Sequence, residues 1–424
     1  MDFLTAQFKF LTPTLLKVSK ATIWQIIGKI VTASTTLVVL GLISRSYGEA
    51  GIGIFTLTVA YLSFFYLAAD LGFNATALLS LDKNPEIASR LLSFRLVWSL
   101  GLIILANLLA QVLPIGNRLF TESVMIGSAT ILFSSFAATA NLIFQNKLRF
   151  DQSVVASVAS SLYTIPVFIY LIGLGVEVKY LLLAPLSGWV VNTMITYALV
   201  NKFYQFHFLK PDLSYVSSLL KTNWPITLTL LLNLVYFRID AFILTSVKGV
   251  EDVGVYNLSY QIFQALLVVP TFVMNGFYPL LVADYKESFQ KFSTNLVKVV
   301  IGLFFISFIG TILTLILAPL VISLLAGESF GASVSVLQML SLSFPAFFVS
   351  AVLMWALLIL KKQKIMAGIY AFGLTVNIVL NLILIPHYSY MGAAMVTVLS
   401  EYLILILQVV VLLKTLLHSR QNSV

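Results

Sequence analysis

Six charged residues fall within or at the ends of long apolar stretches: Lys29, Arg45, Asp70, Arg238, Asp240 and Glu401. In hydrocarbon each such charge is costly, so each is a candidate for binding, gating or pairing. Arg238 stands in Tyr236-Phe237-Arg238-Ile239-Asp240. A guanidinium is a planar fork of donors that fits phosphate oxygens two at a time. Asp240 lies two positions on, which on a helix is a different face, so the two do not pair directly and each needs another partner or a watery cavity. Lys29 lies about eight residues into a first helix and Asp70 about a dozen residues before Asp82 on a second, antiparallel one. At ~1.5 Å of rise per residue both sit in the inner third of the membrane and can meet across the hairpin; the alternative is a lysine snorkelling to the interface. Arg45, at the outer end of the first helix, reads as an interfacial anchor or an outer gate. Glu401 is isolated halfway along the last helix. It reads as a hydrogen-bond donor to a neighbouring helix or, with Asp70 and Asp240, as a group for ion coupling. Arg90, Arg95, Arg118 and Arg149 fall near expected helix ends, which leaves Arg238 as the one arginine deep in a span.

The elements that carry these residues are dictated by composition. Apolar residues make up 60% of the 424 positions and charged residues 10%, against about 25% charged in a soluble domain. The apolar residues run in blocks such as 97–113 and 296–325, and about 20 suffice to span hydrocarbon as a helix. The blocks do not alternate, so helices are favoured over a barrel. The expected fold is all-α and polytopic, with about twelve helices near 21–44, 52–80, 91–114, 122–145, 153–175, 178–200, 222–247, 253–281, 294–325, 331–358, 364–385 and 391–415. No small-residue cleavage site follows the first apolar run, so that helix is expected to be an uncleaved anchor. The chain has no cysteine, and His207, His387 and His418 lack metal-ligand spacing. No Gly-rich phosphate loop is present. Neither a metal nor a cofactor is expected.

The net charge of +9 is a topology signal rather than a nucleic-acid footprint. With the N-terminus inside, nineteen of the 25 Lys and Arg fall in inner segments and four, Arg45, Arg118, Lys179 and Lys248, in outer ones; Lys29 and Arg238 lie within helices. That is a strong positive-inside bias, with the lipid bilayer as the main partner.

The longest polar break, 201–222, follows the sixth helix and divides the chain nearly in half. A repeat agrees with that division. Gly48, Gly53 and Phe55 are matched 201 residues later by Gly249, Gly254 and Tyr256. Both segments open the second helix of a half. The expected lobes are residues 1–210 and 211–424, six helices each in the same orientation, the parallel-repeat arrangement of two-lobed transporters.

Ser44-Arg45-Ser46-Tyr47-Gly48 with Gly53-Ile54-Phe55, then Asp70-Leu71-Gly72-Phe73, resembles the N-terminal signature of polysaccharide flippases. Arg238-Ile239-Asp240 and Val253-Gly254-Val255-Tyr256 resemble the same family. So do Asn377 to Pro386, Gly392-Ala393-Ala394 and Glu401. The family is the Wzx-like O-antigen and polysaccharide flippases of the multidrug/oligosaccharidyl-lipid/polysaccharide exporter superfamily. The resemblance implies two six-helix bundles forming a V with a central cavity, and an undecaprenyl-diphosphate-linked oligosaccharide flipped from the inner to the outer leaflet of a bacterial inner membrane. It implies a cationic cavity for the diphosphate, into which Lys29 and Arg238 can point, and a polysaccharide polymerase and chain-length regulator as protein partners. A cation-coupled multidrug exporter of the same superfamily is the alternative, kept open by Asp70, Asp240 and Glu401. A membrane-embedded glycan polymerase or acyltransferase is remote: the outer loops are short, and His387, the only outer histidine, has no acid or nucleophile near it in sequence.

The charge pattern makes a topology prediction. Reporter fusions should place both termini and residues 201–222 in the cytoplasm and Lys248 outside. With the N-terminus inside, a C-terminus found outside would rule out the twelve-helix arrangement.

Overall fold

A backbone in hydrocarbon has only itself and its neighbouring helices to bond with, and the chain is accordingly helical almost throughout. The computed structural model describes the backbone of residues 2–421 except Lys83, Pro114 and Gly116, and the side chains of residues 22–415 except those three and Leu213. Lys9, Lys17, Lys20, Lys83, His418 and Arg420 therefore lie outside the described side chains. The helices are α1 (Asp2–Asp70), α2 (Phe73–Leu81), α3 (Glu86–Val112), α4 (Arg118–Gly127), α5 (Thr130–Asn146), α6 (Phe150–Gly173), α7 (Leu183–Val200), α8 (Leu213–Tyr236), α9 (Ile239–Lys248), α10 (Val250–Leu266), α11 (Val268–Glu287), α12 (Phe289–Ala326), α13 (Gly331–Ser341), α14 (Phe344–Ile359) and α15 (Gln363–Gln421). No strand occurs among the described residues.

Among the described residues seven helices are long and apolar enough to cross a membrane, or up to ten when each bent pair counts as one span. Two of these, Thr22–Leu81 and Gln363–Thr415, run to 60 and 53 residues, more than twice the ~20 that one crossing needs. Each turns at a residue outside helical geometry, Gly48 in α1 and Ser389 in α15, and the first is broken again at Leu71 and Gly72. The loops expected at 45–51 and 386–390 are thus kinks. Conversely, several stretches read as one helix are broken in two. α4 and α5 meet at a 41° bend, and α13 and α14 at 42°. Exposed apolar residues line up in stripes that suit a bilayer: Val97, Ile104, Leu108 and Val112 on α3, and Phe305, Ile309, Ile316 and Leu320 on α12.

The chain divides into two compact units, Met1–Leu42 with Ile54–Leu231, and Ile43–Gly53 with Leu232–Val424. The first has its core where helix ends converge: Phe73, Ala77 and Leu81 of α2, Ile87 and Leu91 of α3, Ile143 and Phe144 of α5, and Val216 and Leu219 of α8. The second is centred on α10, α13 and α14. Phe263 stacks on Phe344 at 5.3 Å. Ser259 donates to the Ser333 carbonyl at 2.6 Å while Ser333 donates to the Val255 carbonyl at 2.9 Å, a reciprocal bond that small polar residues make between close helices.

The repeat is visible in the backbone. Gly48 (φ 65°, ψ −163°) and Gly249 (φ 105°, ψ −177°) take related conformations open mainly to glycine. Within the second unit, Gly53 lies against the Val250 carbonyl and Gly254 against the Glu49 carbonyl, so close that a Cβ would stand 1.9 and 2.0 Å from those oxygens. Glu49 and Val250, like Gly53 and Gly254, are 201 positions apart, so the contact maps onto itself when the repeats are exchanged. Gly53→Ala and Gly254→Ala should each force backbone apart and cost about 1–3 kcal/mol, read as a lower melting temperature of the purified protein. Gly302→Ala, with open space around it, should leave the melting temperature unchanged.

Candidate functional site

The first polar cluster forms where α1 stops. Leu71 and Gly72 take positive φ, 49° and 65°, which ends the helix and strips carbonyls of their partners. Neighbouring side chains restore them. Trp98 Nε1 donates to the Ala68 carbonyl at 2.9 Å, Arg95 Nη2 to that of Asp70 at 3.1 Å, and Thr227 Oγ1 to that of Leu71 at 2.7 Å. Arg95 is fully buried. It pairs with the Asp70 carboxylate at 2.6 Å and donates to Asn74 Oδ1 at 3.1 Å and Thr139 Oγ1 at 3.0 Å. Asn74 in turn donates to the Ala138 carbonyl at 2.7 Å.

This corrects two expectations. Asp70 does not pair with Lys29, which is exposed and makes no ion pair among the described residues; its partner is Arg95. Nor is Arg238 the one arginine deep in a span. α3 begins at Glu86 rather than near 91, so Arg95 lies nine residues, ~14 Å, along it. The signal was in the sequence: Pro85 followed by Glu86 opens a helix, and the Asn84 side chain accepts the Glu86 N–H at 3.1 Å.

The second unit holds two buried carboxylates, each served by a tyrosine. Asp240, 4% exposed, accepts hydrogen bonds from the Tyr256 hydroxyl and, at 2.8 Å, from the Ala241 N–H. Tyr256 lies 3.4 Å from Thr397 Oγ1. Glu401, 3% exposed, accepts from the Tyr236 hydroxyl. Next to it on α15, Ser400 receives a bond from Asn377 at 3.4 Å, and Asn381 donates to Asn377 at 3.0 Å. Sequence reading identified the carboxylates and missed the tyrosines, because a tyrosine in an apolar run reads as packing.

Arg238 occupies the break between α8 and α9, with Phe237 the only other residue outside both helices. It is half-buried, and its guanidinium makes no hydrogen bond or ion pair among the described residues. As its spacing implied, it does not pair with Asp240. Arg45 is spent on structure. Its guanidinium donates to the carbonyls of Leu325 at 3.1 Å, Leu324 at 2.7 Å and Ser323 at 3.4 Å, capping the C-terminal turn of α12, where a cation also meets the negative end of the helix dipole.

The pair in the first unit carries an asymmetric prediction. Arg95 is wholly buried but Asp70 is 34% exposed. Asp70→Ala strands a buried cation and should cost about 3–5 kcal/mol. Arg95→Leu leaves a carboxylate that water can reach and should cost less. The double variant should be more stable than Asp70→Ala alone, and Lys29→Ala should add independently to either. Melting temperatures of the purified variants check this, and additive losses for Asp70 and Arg95 would contradict the pairing.

The fold and sites can be set beside known proteins. A family model described as "Polysaccharide biosynthesis protein" matches residues 18–283, and one described as "MatE" matches residues 225–383. A curated protein of Shigella flexneri, "Putative O-antigen transporter", is 22% identical over 411 residues, covering 89% of this chain and 94% of its own. Among solved structures, an inward-facing multidrug resistance MATE family transporter of the MOP superfamily superposes with a TM-score of 0.76 at 18% identity, over 94% of this chain and 96% of the other. The lipid II flippase MurJ in an inward closed conformation superposes with a TM-score of 0.71 at 13% identity, over 94% and 89%. The fold is therefore that of polytopic membrane transporters built from two pseudo-symmetric helical lobes. With more than half of its length matched by that model, the chain belongs to the polysaccharide biosynthesis protein family, the Wzx-like family that its motifs resemble.

Proposed function

We propose that this protein flips an undecaprenyl-diphosphate-linked oligosaccharide, the repeat unit of an O-antigen or other surface polysaccharide, from the inner to the outer leaflet of a bacterial cytoplasmic membrane. The family match and the similarity to an O-antigen transporter support the substrate class. The likeness to a lipid II flippase supports the fold's capacity for lipid-linked cargo. The observation that carries the reading is Arg238. A diphosphate cannot enter hydrocarbon without a positive partner, because a buried unpaired charge is very costly. Of the two arginines within spans, Arg95 is sealed and paired with Asp70, while Arg238, at a break between helices, makes no hydrogen bond or ion pair among the described residues. A cation in no ion pair among the described residues can hold a phosphate and release it again.

A second reading has its own support. The MatE match over residues 225–383 and the MATE structure favour a cation-coupled multidrug exporter, in which the buried carboxylates of Asp240 and Glu401 bind the coupling ion. In either case the protein acts as a transporter, not an enzyme, and no cofactor is invoked. Export of glycan measured beside drug resistance in the same strain separates the two.

Arg238→Ala should abolish glycan export per molecule of inserted protein, while the protein still accumulates in the membrane. Arg238→Lys should recover only part of it, because an ammonium cannot reproduce the two parallel bonds of the guanidinium. Normal export by Arg238→Ala at matched abundance would remove Arg238 as the phosphate contact and leave Lys29, exposed and unpaired among the described residues, as the group to test next.

A further inference from the structure

The segment 201–212 connects α7 to α8 without a helix of its own, yet it is tied down along α3. Tyr204 and Ser89 share a hydrogen bond at 2.7 Å, and the His207 N–H donates to Ser89 Oγ at 3.1 Å. One turn further, the Leu209 N–H donates to Ser93 Oγ at 3.1 Å. Arg90 pairs with Asp212 at 3.2 Å. The Ser214 hydroxyl and the Tyr215 N–H, then Arg90, hold the Asp212 carboxyl below its ordinary range. Asp212 is thereby committed.

Between this segment and α3 lies a groove of about 550 Å³, within the range of ligand sites. Ser93, Leu96, Val97 and Leu100 form one wall, and Phe208 and Lys210 are on the other. The lining is apolar apart from Ser93 and Lys210. Val97 is 63% exposed and Phe208 84%, so the groove opens outward, along the lipid-facing stripe of α3. Lys210 is exposed and makes no ion pair among the described residues. From Ser93 to Leu100 the groove follows α3 for ~10 Å. The charge pattern puts its lysine end among the inner segments, at the level of anionic headgroups.

A cation at headgroup depth with an apolar channel running from it into hydrocarbon matches one chemistry. We propose that this groove binds an anionic phospholipid, its phosphate on Lys210 and one acyl chain along Leu96, Val97 and Leu100. One lysine balances one phosphodiester, whereas a diphosphate-linked glycan would bring more negative charge and polar surface than this lining can meet. Because one wall is the connection between α7 and α8, the bound lipid packs that connection against α3.

The test uses the full-length protein, purified in detergent and examined by native mass spectrometry with phosphatidylglycerol or phosphatidylcholine added at equal concentration. Phosphatidylglycerol should be retained about tenfold more than phosphatidylcholine, and Lys210→Glu should bring the two to parity. Phe208→Ala should weaken retention of both. Lys210 is exposed and unpaired, so its reversal leaves the fold intact, and the wild-type comparison needs no variant. Equal retention of the two lipids by the wild type, or unchanged preference in Lys210→Glu, would overturn the proposal. So would displacement of phosphatidylglycerol by an equal concentration of undecaprenyl phosphate, which would assign the groove to the cargo. Neither readout depends on which solute the protein carries, so glycan export can fail or hold separately.

Discussion

In hydrocarbon an unpaired carbonyl or N–H costs several kcal/mol, and no water is at hand to relieve it. Every break in a helix of this protein is therefore a debt that some side chain must settle. At Leu71 and Gly72 the exposed carbonyls are met by Trp98, Arg95 and Thr227, so α3 and α8 are fixed to the end of α1. At the end of α12, Arg45 meets three carbonyls at once. Where Gly53 and Gly254 press on the backbone of Val250 and Glu49, closeness itself is the device, since only a residue without Cβ lets a carbonyl approach so near. Polar side chains in these helices thus gather where the backbone is interrupted.

The same constraint sorts the charges. A group tied to several partners at once is held in one arrangement and serves the fold. Arg95 with Asp70, Asn74 and Thr139 is of this kind, as is Arg45 on α12. Asp240 and Glu401 differ, each being held by a neutral tyrosine hydroxyl rather than a cation. A hydroxyl can rotate and exchange its bond, whereas an ion pair separated in a low dielectric must first be paid for by rehydration. Arg238 stands at the far end of the series, half-buried and without a hydrogen bond or ion pair among the described residues. Asp240, Glu401 and Arg238, which make no ion pair among the described residues, all lie in the second unit.

Much of this could be read from the residues. Composition and block length carried the helical membrane fold, and the Gly48, Gly53, Gly249 and Gly254 pattern carried the repeat, because glycines at a close contact leave a mark that hydrophobic residues do not. The breaks were poorly legible. Leu71 and the residues around Leu342 sit in largely apolar sequence that continues through them, and hydropathy does not register a change of φ, whereas the turn at Ser389 falls within the expected break at 386–390. The misplaced start of α3 hid Arg95, since five residues decide whether a guanidinium reads as interfacial or buried. The partner of Asp70 was out of reach for the same reason: the nearest charge along the chain is a poor guide when a third helix supplies the cation. Tyr236 and Tyr256 went unseen because their hydroxyls matter only once the carboxylates facing them are known.

The repeat sets two of these charges beside uncharged counterparts. Going back from the paired glycines, Gly48 and Gly249, the two helices run in register, and Val39 stands where the second repeat has Asp240, Leu37 where it has Arg238. Val39 is 6% exposed and Asp240 4%. The same place in the same element is thus buried to the same degree, once as a hydrocarbon and once as a carboxylate that needs Tyr256 to satisfy it. A helix that packs with valine at this position does not need aspartate there for its stability; burying the carboxylate is a cost that the first repeat avoids. Both halves share the glycine kink and the close contact. Arg238 and Asp240 occur in one repeat only, and Asp240 is buried there at a desolvation cost that Val39 does not carry.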